Sequence, residues 1–500
     1  MEDPFHMQFK VLSEKIARFL PGVVVQPLGG RWAASNRGLI HFSDIFKPNT
    51  GHYQLLSASE EHRVTINGIS VNVDTLIGGT CNVEDYESLK KNPLSGGLRD
   101  RIRRFGVNYV LNFKDEEKIY LRDLSGVKKK HIAPHSVSLA ALGAVLTRLD
   151  KPIEEGLPEN IALSEKAKQL LLGVNPMQKA EIYAGKERHE FEYFGEDEVK
   201  LIDDNFRKAL KYTEGLLEQA YNYSEGTFGI SPRKIQDLFK KILKKGQCLD
   251  PVTVLEGIEK LILEEKSDHD FLAWEEALKS EFSNNEGVLA MFTSDSLDVG
   301  SYFNSHKALV WVKNYYEEKI RHEVCFALLD LKPERLDRLI RDYIENVELA
   351  VINPDSHGES NSKDRADFGL LEEIETKLGY DQGTDDLEKY RREVIARFHE
   401  YVKQFPPAET GGINYRKALP DLYEDLYHAL FAEKSDAMDF ENLQEAVYRY
   451  NTESFGDMEM CVRKEAERVI DRMKEFYGYC DVCAKKTLLY AFKSIEDIFF

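Results

Sequence analysis

The sequence predicts an α/β unit followed by a long, mainly helical region, on three observations. Up to about Leu124, short apolar runs cut by Gly, Pro and Asn alternate with amphipathic helical pieces. From Ser136 onward, apolar residues recur at helical spacing almost to the C-terminus. The chain has 500 residues, 42% hydrophobic and 31% charged, which is enough to fill about two to four globular cores.

In chain order, residues 5–20 place Phe9, Leu12, Ile16 and Phe19 on one helical face, ended by Pro21-Gly22. Val23-Val24-Val25 has strand character, and a second apolar run, 39–46, stops at Lys47-Pro48. Alternation over 64–73 around Asn67-Gly68 predicts a hairpin. Residues 137–149 are apolar nearly all round and predict a buried helix. Residues 151–200 are charged and irregular and predict an insertion or long connection. Helices follow over 203–221, 233–243 and 252–265, with a turn at 226–232 and Pro251 at a helix start. From Asp268 helices continue, interrupted by the polar stretch 354–366, which predicts a loop, and by a boundary at Pro406-Pro407 and Gly411-Gly412.

The stretch 74–120 organises the rest. Leu76-Ile77 predicts a buried strand that halts at Gly78-Gly79 and delivers Thr80, Cys81 and Asn82 as a polar tip. A helix over 84–91 is broken by Asn92-Pro93, a helical piece runs over 98–102, and a second strand is predicted over 107–113. Nucleotide-hydrolysing oligomers of the AAA+ kind arrange two of their parts in this order. An Asn at the strand tip can orient an attacking water, and a surface Arg, here Arg101, can reach a neighbour's γ-phosphate as charge develops. The bland alternatives are a turn-forming Asn and a solvated Arg.

Composition narrows the function. Lys+Arg of 67 against Asp+Glu of 87 gives a net charge of -20, which argues against a general nucleic-acid or acidic-membrane surface. There is no run of about 18 apolar residues and no signal-peptide pattern, so a cytoplasmic protein without a membrane span is expected. Six dispersed cysteines fit a reducing compartment. Cys480 and Cys483 form a lone CxxC; without a second pair or a His pair nearby, the expectation is two helix-borne thiols and no metal. The letters Asp367-Phe368-Gly369 match a kinase DFG, but no Gly-rich phosphate loop, V-A-I-K or H-R-D accompanies them.

Several segments resemble the PrkA family of serine protein kinases, in which an AAA+ module precedes a helical region. They run in family order: Glu2-Asp3-Pro4-Phe5-His6; Asn36-Arg37-Gly38-Leu39 with Phe42, Asp44 and Phe46-Lys47; Asn82 with Glu84; and Asp100-Arg101-Ile102. Glu117-Lys118-Ile119-Tyr120 and Ala133-Pro134 with Val145-Leu146-Thr147-Arg148-Leu149 follow. Glu225-Gly226 with Gly229-Ile230-Ser231-Pro232-Arg233, and Asp250-Pro251-Val252, complete the set, which spans residues 1 to about 265.

The resemblance implies a partial AAA+ (P-loop NTPase-like) core over 1–130, a helical lid over 131–265 and a helical C-terminal domain over 266–500. It implies that Asn82 is the strand-tip sensor, Arg101 the finger given to a neighbour and Arg233 the second sensor, with ATP and Mg2+ as cofactors and a protein as substrate. A Pro at the helix start independently suits an Arg233 held beside phosphates; a helix-surface salt bridge is the alternative.

Two departures stand out. No G-x-x-x-x-G-K-[ST] occurs, so the phosphate loop is missing, and in the family it precedes the Glu2-Asp3-Pro4 segment. The family also keeps a Glu where this chain has Asp44, and another where it has His41. Asp44 could still serve magnesium or water, or simply cap a loop. The expectation is therefore the larger part of a PrkA-type ATP-dependent kinase, working as a homo-oligomer or with a separate N-terminal P-loop subunit. The alternative is a non-catalytic regulatory or scaffold protein that assembles with an intact ATPase.

Overall fold

The computed structural model describes residues 31–47, 52–66, 69–91, 96–215, 224–246, 248–266, 305–352, 366–435 and 439–494, with a few isolated residues besides. Of the helix expected over 5–20, residues 14–16 and 18–20 are described, with 14–16, 18 and 19 helical, and the rest lies outside the described residues, as do Val23-Val24-Val25, Asn67-Gly68, Asn92-Pro93 and nearly all of the loop 354–366. The chain divides into two compact units, 1–107 and 108–500.

The first unit is α/β. It contains α1 (Arg31–Ala34), β1 (Gly38–Phe42), α2 (His52–Glu60), β2 (Arg63–Ile66), β3 (Ile69–Asn72), β4 (Thr75–Gly79), α3 (Val83–Lys91) and α4 (Gly96–Arg99). β1 pairs in parallel with β4, and β2 with β3 antiparallel, Ile66 opposite Ile69, so the hairpin expected at 64–73 is present. Parallel pairing needs a long crossover, and residues 43–74 supply it. Ile45, Phe46, Leu55, Leu89 and Leu98 form a small core. β4 departs from the buried strand expected, since Leu76 is 68% exposed and only one face is covered.

The second unit is mostly helical. The strand expected over 107–113 is absent: residues 102–112 are irregular, and Asn112 caps α5 (Phe113–Leu124), its side chain accepting from Lys114 N at 2.9 Å. Asp115 and Glu116 in the first turn favour the helix dipole there. β5 (His131–Ile132) leads into α6 (Ser136–Leu146), which is apolar all round and buried as predicted. Gly143 lets α6 approach closely, because a Cβ there would sit 3.2 Å from Ile258 Cγ2.

Residues 151–200 are more ordered than expected. They hold α7 (Glu165–Gly173), α8 (Pro176–Tyr183) and α9 (Glu196–Leu201), followed by α10 (Asp204–Tyr212), around their own core of Leu171, Ile202, Phe206 and Leu210. Ser164 caps α7, and an Asn175–Gln178 capping box starts α8.

Next come α11 (Pro232–Lys245), β6 (Cys248–Leu249) and α12 (Pro251–Lys266). β6 pairs in parallel with β5, setting His131 opposite Cys248. α13 (Ser305–Leu329), α14 (Pro333–Ile352), α15 (Phe368–Lys377), α16 (Asp385–Gln404), α17 (Pro407–Thr410), α18 (Tyr415–Ala418) and α19 (Pro420–Ser435) continue the chain. It ends with α20 (Phe440–Arg449), α21 (Met460–Tyr477) and α22 (Asp481–Ser494). α14 buries Leu336, Ile340, Tyr343 and Val347, and α21 buries Ala466, Val469, Ile470 and Met473, the helical spacings their sequences carry. A single apolar core joins residues from Phe113 to Ala491, across positions 130 and 265. Asp367, the first letter of the DFG match, caps α15 by accepting from Leu370 N at 3.1 Å.

Candidate functional site

In the first unit, the parallel β1–β4 pair has both carboxyl ends at one edge. The ladder runs on past the strands, with Thr80 N donating to Phe42 O and Ile45 N to Thr80 O, each at 2.9 Å. Gly79 leaves room for Ile45 over the strand end, since a Cβ would come within 2.7 Å of its side chain. Asp44 lies two residues beyond β1 with φ of 56°, a left-handed turn that Asp tolerates better than most residues. Its carboxylate is held by Lys47 at 2.9 Å. Asn82 lies three residues beyond β4, exposed, with its carbonyl accepting from Tyr86 N at 3.1 Å at the start of α3.

Between them Cys81 has its thiol pushed up by burial and then by the charges of Asp85 and Asp44, which places Asp44 beside the β4 tip. The structure thus brings Asp44 and Asn82 to the same carboxyl edge, where open parallel sheets bind ligands.

Arg101 follows α4 in a turn. Its guanidinium pairs with Glu60 at 2.8 Å and donates to Gly97 O, with the side chain 39% exposed. A pair so exposed contributes little and can be exchanged for another anion.

Arg233 belongs to the second unit, in the first turn of α11 behind Pro232, with Ser231 accepting from Lys234 N as the cap. It is exposed and has no hydrogen bond or ion pair among the described residues. The first turn of a helix disfavours a cation and favours an anion beside it.

The segment leading to Arg233 is clamped from below. Arg148 donates through Nε and Nη2 to Ile230 O (3.0 and 2.7 Å), through Nη1 to Val110 O (2.7 Å), and through Nη2 to Glu116 Oε1 (2.7 Å). Both charged side chains of this pair are fully buried. Tyr120 OH also donates to Glu116, and burial pushes that hydroxyl well above the usual tyrosine range. Glu225 is fixed alongside: Lys179 pairs with it at 2.6 Å, and Asp150 N and Tyr183 OH both donate to it at 2.7 Å. Gly229, with φ of 107°, passes so close to the Arg148 segment that a Cβ would lie 2.6 Å from Thr147 O.

The sequence reading missed a second constellation. His131, Cys248, Cys480 and Cys483 converge, their ligand atoms all within 4.8 Å of one another. A hydrogen bond from Cys248 holds the Cys483 thiol below the ordinary thiol range against the effect of burial, while Cys248 itself is pushed up. The CxxC was visible in the sequence; its partners His131 and Cys248 stand 117 residues from each other, and His131 stands 352 from Cys483, so only the fold joins them. A cleft of about 440 Å³ opens nearby between α11 and α12, lined by Lys241, Lys260, Asp250, Cys248 and Lys486 among others. Arg233 does not line it, but its neighbour Lys234 does.

The α/β piece with polar residues at adjoining strand ends and the helical region after it each match a domain family. Residues 24–155 match the PrkA AAA domain, and residues 177–286 and 293–490 match the PrkA serine protein kinase C-terminal domain. The chain belongs to the PrkA serine protein kinase family. It is 23% identical over 472 residues to the ATP-dependent protease PrkA of Bacillus subtilis (strain 168), covering 92% of this chain and 61% of that protein. The chain therefore spans about three fifths of the length of that curated relative. No solved structure matches it. Among the described residues no helix is long and apolar enough to cross a membrane.

Proposed function

We propose that this chain supplies the sensor, finger and lid elements of a PrkA-type ATP-dependent serine protein kinase, with the phosphate loop coming from outside these 500 residues. The observation that carries this reading is the shared carboxyl edge of β1 and β4, which holds Asp44 and Asn82 together. By themselves the residues present do not make a complete ATP–magnesium site. G-x-x-x-x-G-K-[ST] is absent, and the Asp44 carboxylate is engaged by Lys47. In the reading offered here Asn82 orients water, Arg101 leaves Glu60 for a neighbour's phosphate, Arg233 meets phosphate at the start of α11, and the phosphorylated partner is a protein. The family's name supports protein phosphorylation, and the Bacillus relative, an ATP-dependent protease, supports ATP dependence.

The test is equilibrium binding of labelled ATP with magnesium. The chain alone should bind negligibly, and adding a separate AAA segment that carries G-x-x-x-x-G-K-[ST] should restore binding and serine phosphorylation of added protein. Equal binding with and without that segment, or none with it, would overturn the reading. A second reading, a scaffold that assembles with an intact ATPase, is favoured by the missing loop. It predicts that the chain alters a partner's ATPase rate without itself acquiring phosphotransfer.

A further inference from the structure

We propose that His131, Cys248, Cys480 and Cys483 bind one zinc ion, in a structural site that staples the α21–α22 hairpin to the β5–β6 pair. The four residues come from three places. His131 and Cys248 sit opposite each other on the parallel β5–β6 ladder. Cys480 lies in the turn after α21, and Cys483 in the first turn of α22. His131 Nδ1 is 3.2 Å from Cys248 Sγ and 3.6 Å from Cys483 Sγ, and the Cys480 and Cys483 sulfurs are 3.5 Å apart. A tetrahedral zinc ion with ordinary bond lengths requires ligand separations of about 3.8 Å between sulfurs and about 3.6 Å between sulfur and nitrogen. These three spacings lie within about 0.4 Å of those values, and all four ligand atoms lie within 4.8 Å of one another.

Three further features fit a metal better than a group of packed thiols. His131 Nε2 is 3.1 Å from Gly478 O, and a carbonyl can only accept, so the proton resides on Nε2 and the Nδ1 lone pair faces the sulfurs. Gly478 is itself fixed as the left-handed cap of α21, with φ of 79°, its N–H donating to Lys474 O. Cys480 N donates to Cys483 Sγ at 3.0 Å, which favours negative charge on that sulfur. No disulfide is present, and 3.5 Å is far beyond the roughly 2.05 Å of an S–S bond. Cys248 and Cys483 are buried, and the protein supplies all four ligands, so no position remains for substrate and the role is structural.

His131 falls within the stretch matching the AAA domain, and the three cysteines fall within the stretches matching the C-terminal domain. The ion would therefore lock one to the other, whatever nucleotide chemistry the chain performs.

The experiment is metal analysis of the full chain purified from zinc-supplemented medium, with cobalt exchange as the spectroscopic probe. About one zinc per chain is expected, and cobalt should give the strong absorption of a tetrahedral thiolate site. Cys483→Ser and His131→Ala should each lower zinc content at least about fivefold, while Cys461→Ser, at an exposed cysteine outside the cluster, should leave it unchanged. Should the ligand variants fail to fold, the wild-type stoichiometry and cobalt spectrum still decide. Less than about a tenth of an equivalent of zinc in the wild type, with no cobalt uptake by the reduced protein, would overturn the assignment. A Cys248–Cys483 disulfide in freshly purified protein would overturn it as well.

Discussion

Replacing Arg148 tests whether the buried clamp beneath the Arg233 segment holds the second unit together. Arg148→Met keeps much of the apolar stem of the side chain and removes every donor. Glu116 then stays buried with Tyr120 as its remaining donor, since Glu116 Oε2 has no partner among the described residues. The carbonyls of Ile230 and Val110 lose their Arg148 contacts. A buried carboxylate stripped of its counter-ion costs about 3–5 kcal/mol, and each carbonyl left unsatisfied adds about 1 kcal/mol where water cannot reach it. Because the groups share one network these figures overlap, and about 4 kcal/mol is the expected loss.

Replacing the pair together, Arg148→Met with Glu116→Leu, removes the stranded charge and should recover about 2 kcal/mol of that loss. Urea denaturation followed by circular dichroism should show the single variant's midpoint lower by about 1 M at an unchanged slope. The reasoning is refuted if Arg148→Met lies within about 1 kcal/mol of wild type, or if the double variant is no more stable than the sum of the singles predicts.

Gly229→Ala should destabilise by about 2 kcal/mol or more, because φ of 107° and the Thr147 carbonyl leave no room for a Cβ; the same urea assay measures it. Arg101→Ala should change stability by less than about 0.5 kcal/mol, as its pair with Glu60 is exposed, yet abolish stimulation of ATP hydrolysis in the reconstituted mixture; a large stability loss would make Arg101 structural. His322 should make the protein acid-sensitive. Burial, and then the charges of Arg416, Arg321, His428 and Lys319, pull it down to about 3, while Glu424 at 3.9 Å is the nearby anion. With the folded value below the ordinary 6.5, stability is complete above about pH 6.5 and falls as pH drops toward 3, by about 2 kcal/mol at pH 5. His322→Leu should flatten that part of the stability–pH curve, and an unchanged slope would count against it.

How much of this was legible in the sequence depends on how far apart the interacting residues lie. The hairpin over β2–β3, the all-apolar helix α6, the Pro-led starts of α11 and α12 and the strand tip at Asn82 rest on neighbours within a few residues, and the pattern displays them. The misreadings were local competitions. Over 107–113 an apolar run suggests a strand, but Asn112 followed by Phe113, Lys114, Asp115 and Glu116 is a helix-capping sequence, and among the described residues no strand lies alongside to pair with. Over 151–200 dense charge hid the caps at Ser164 and Asn175 and the apolar spacing of a small core. Lys179 and Glu181, inside that charged stretch, are buried.

The tertiary constellations follow the same rule at longer range. Arg148 and Ile230 are separated by 82 residues, and His131 and Cys483 by 352, so no window of sequence contains either contact. What fixes them is the path of α6 through the core. It begins just past β5, which presents His131, and ends just before Arg148, so one buried helix sets the position of the cysteine-rich cluster at its start and of the Arg148 clamp at its finish. The helix has almost no polar surface with which to shift register, and Gly143 admits Ile258 at a separation a larger residue would forbid. A substitution that tilts α6, such as Gly143→Val, should therefore weaken both clusters together, whereas disorder confined to the α21–α22 turn should loosen the cluster at His131 and leave Arg148 in place.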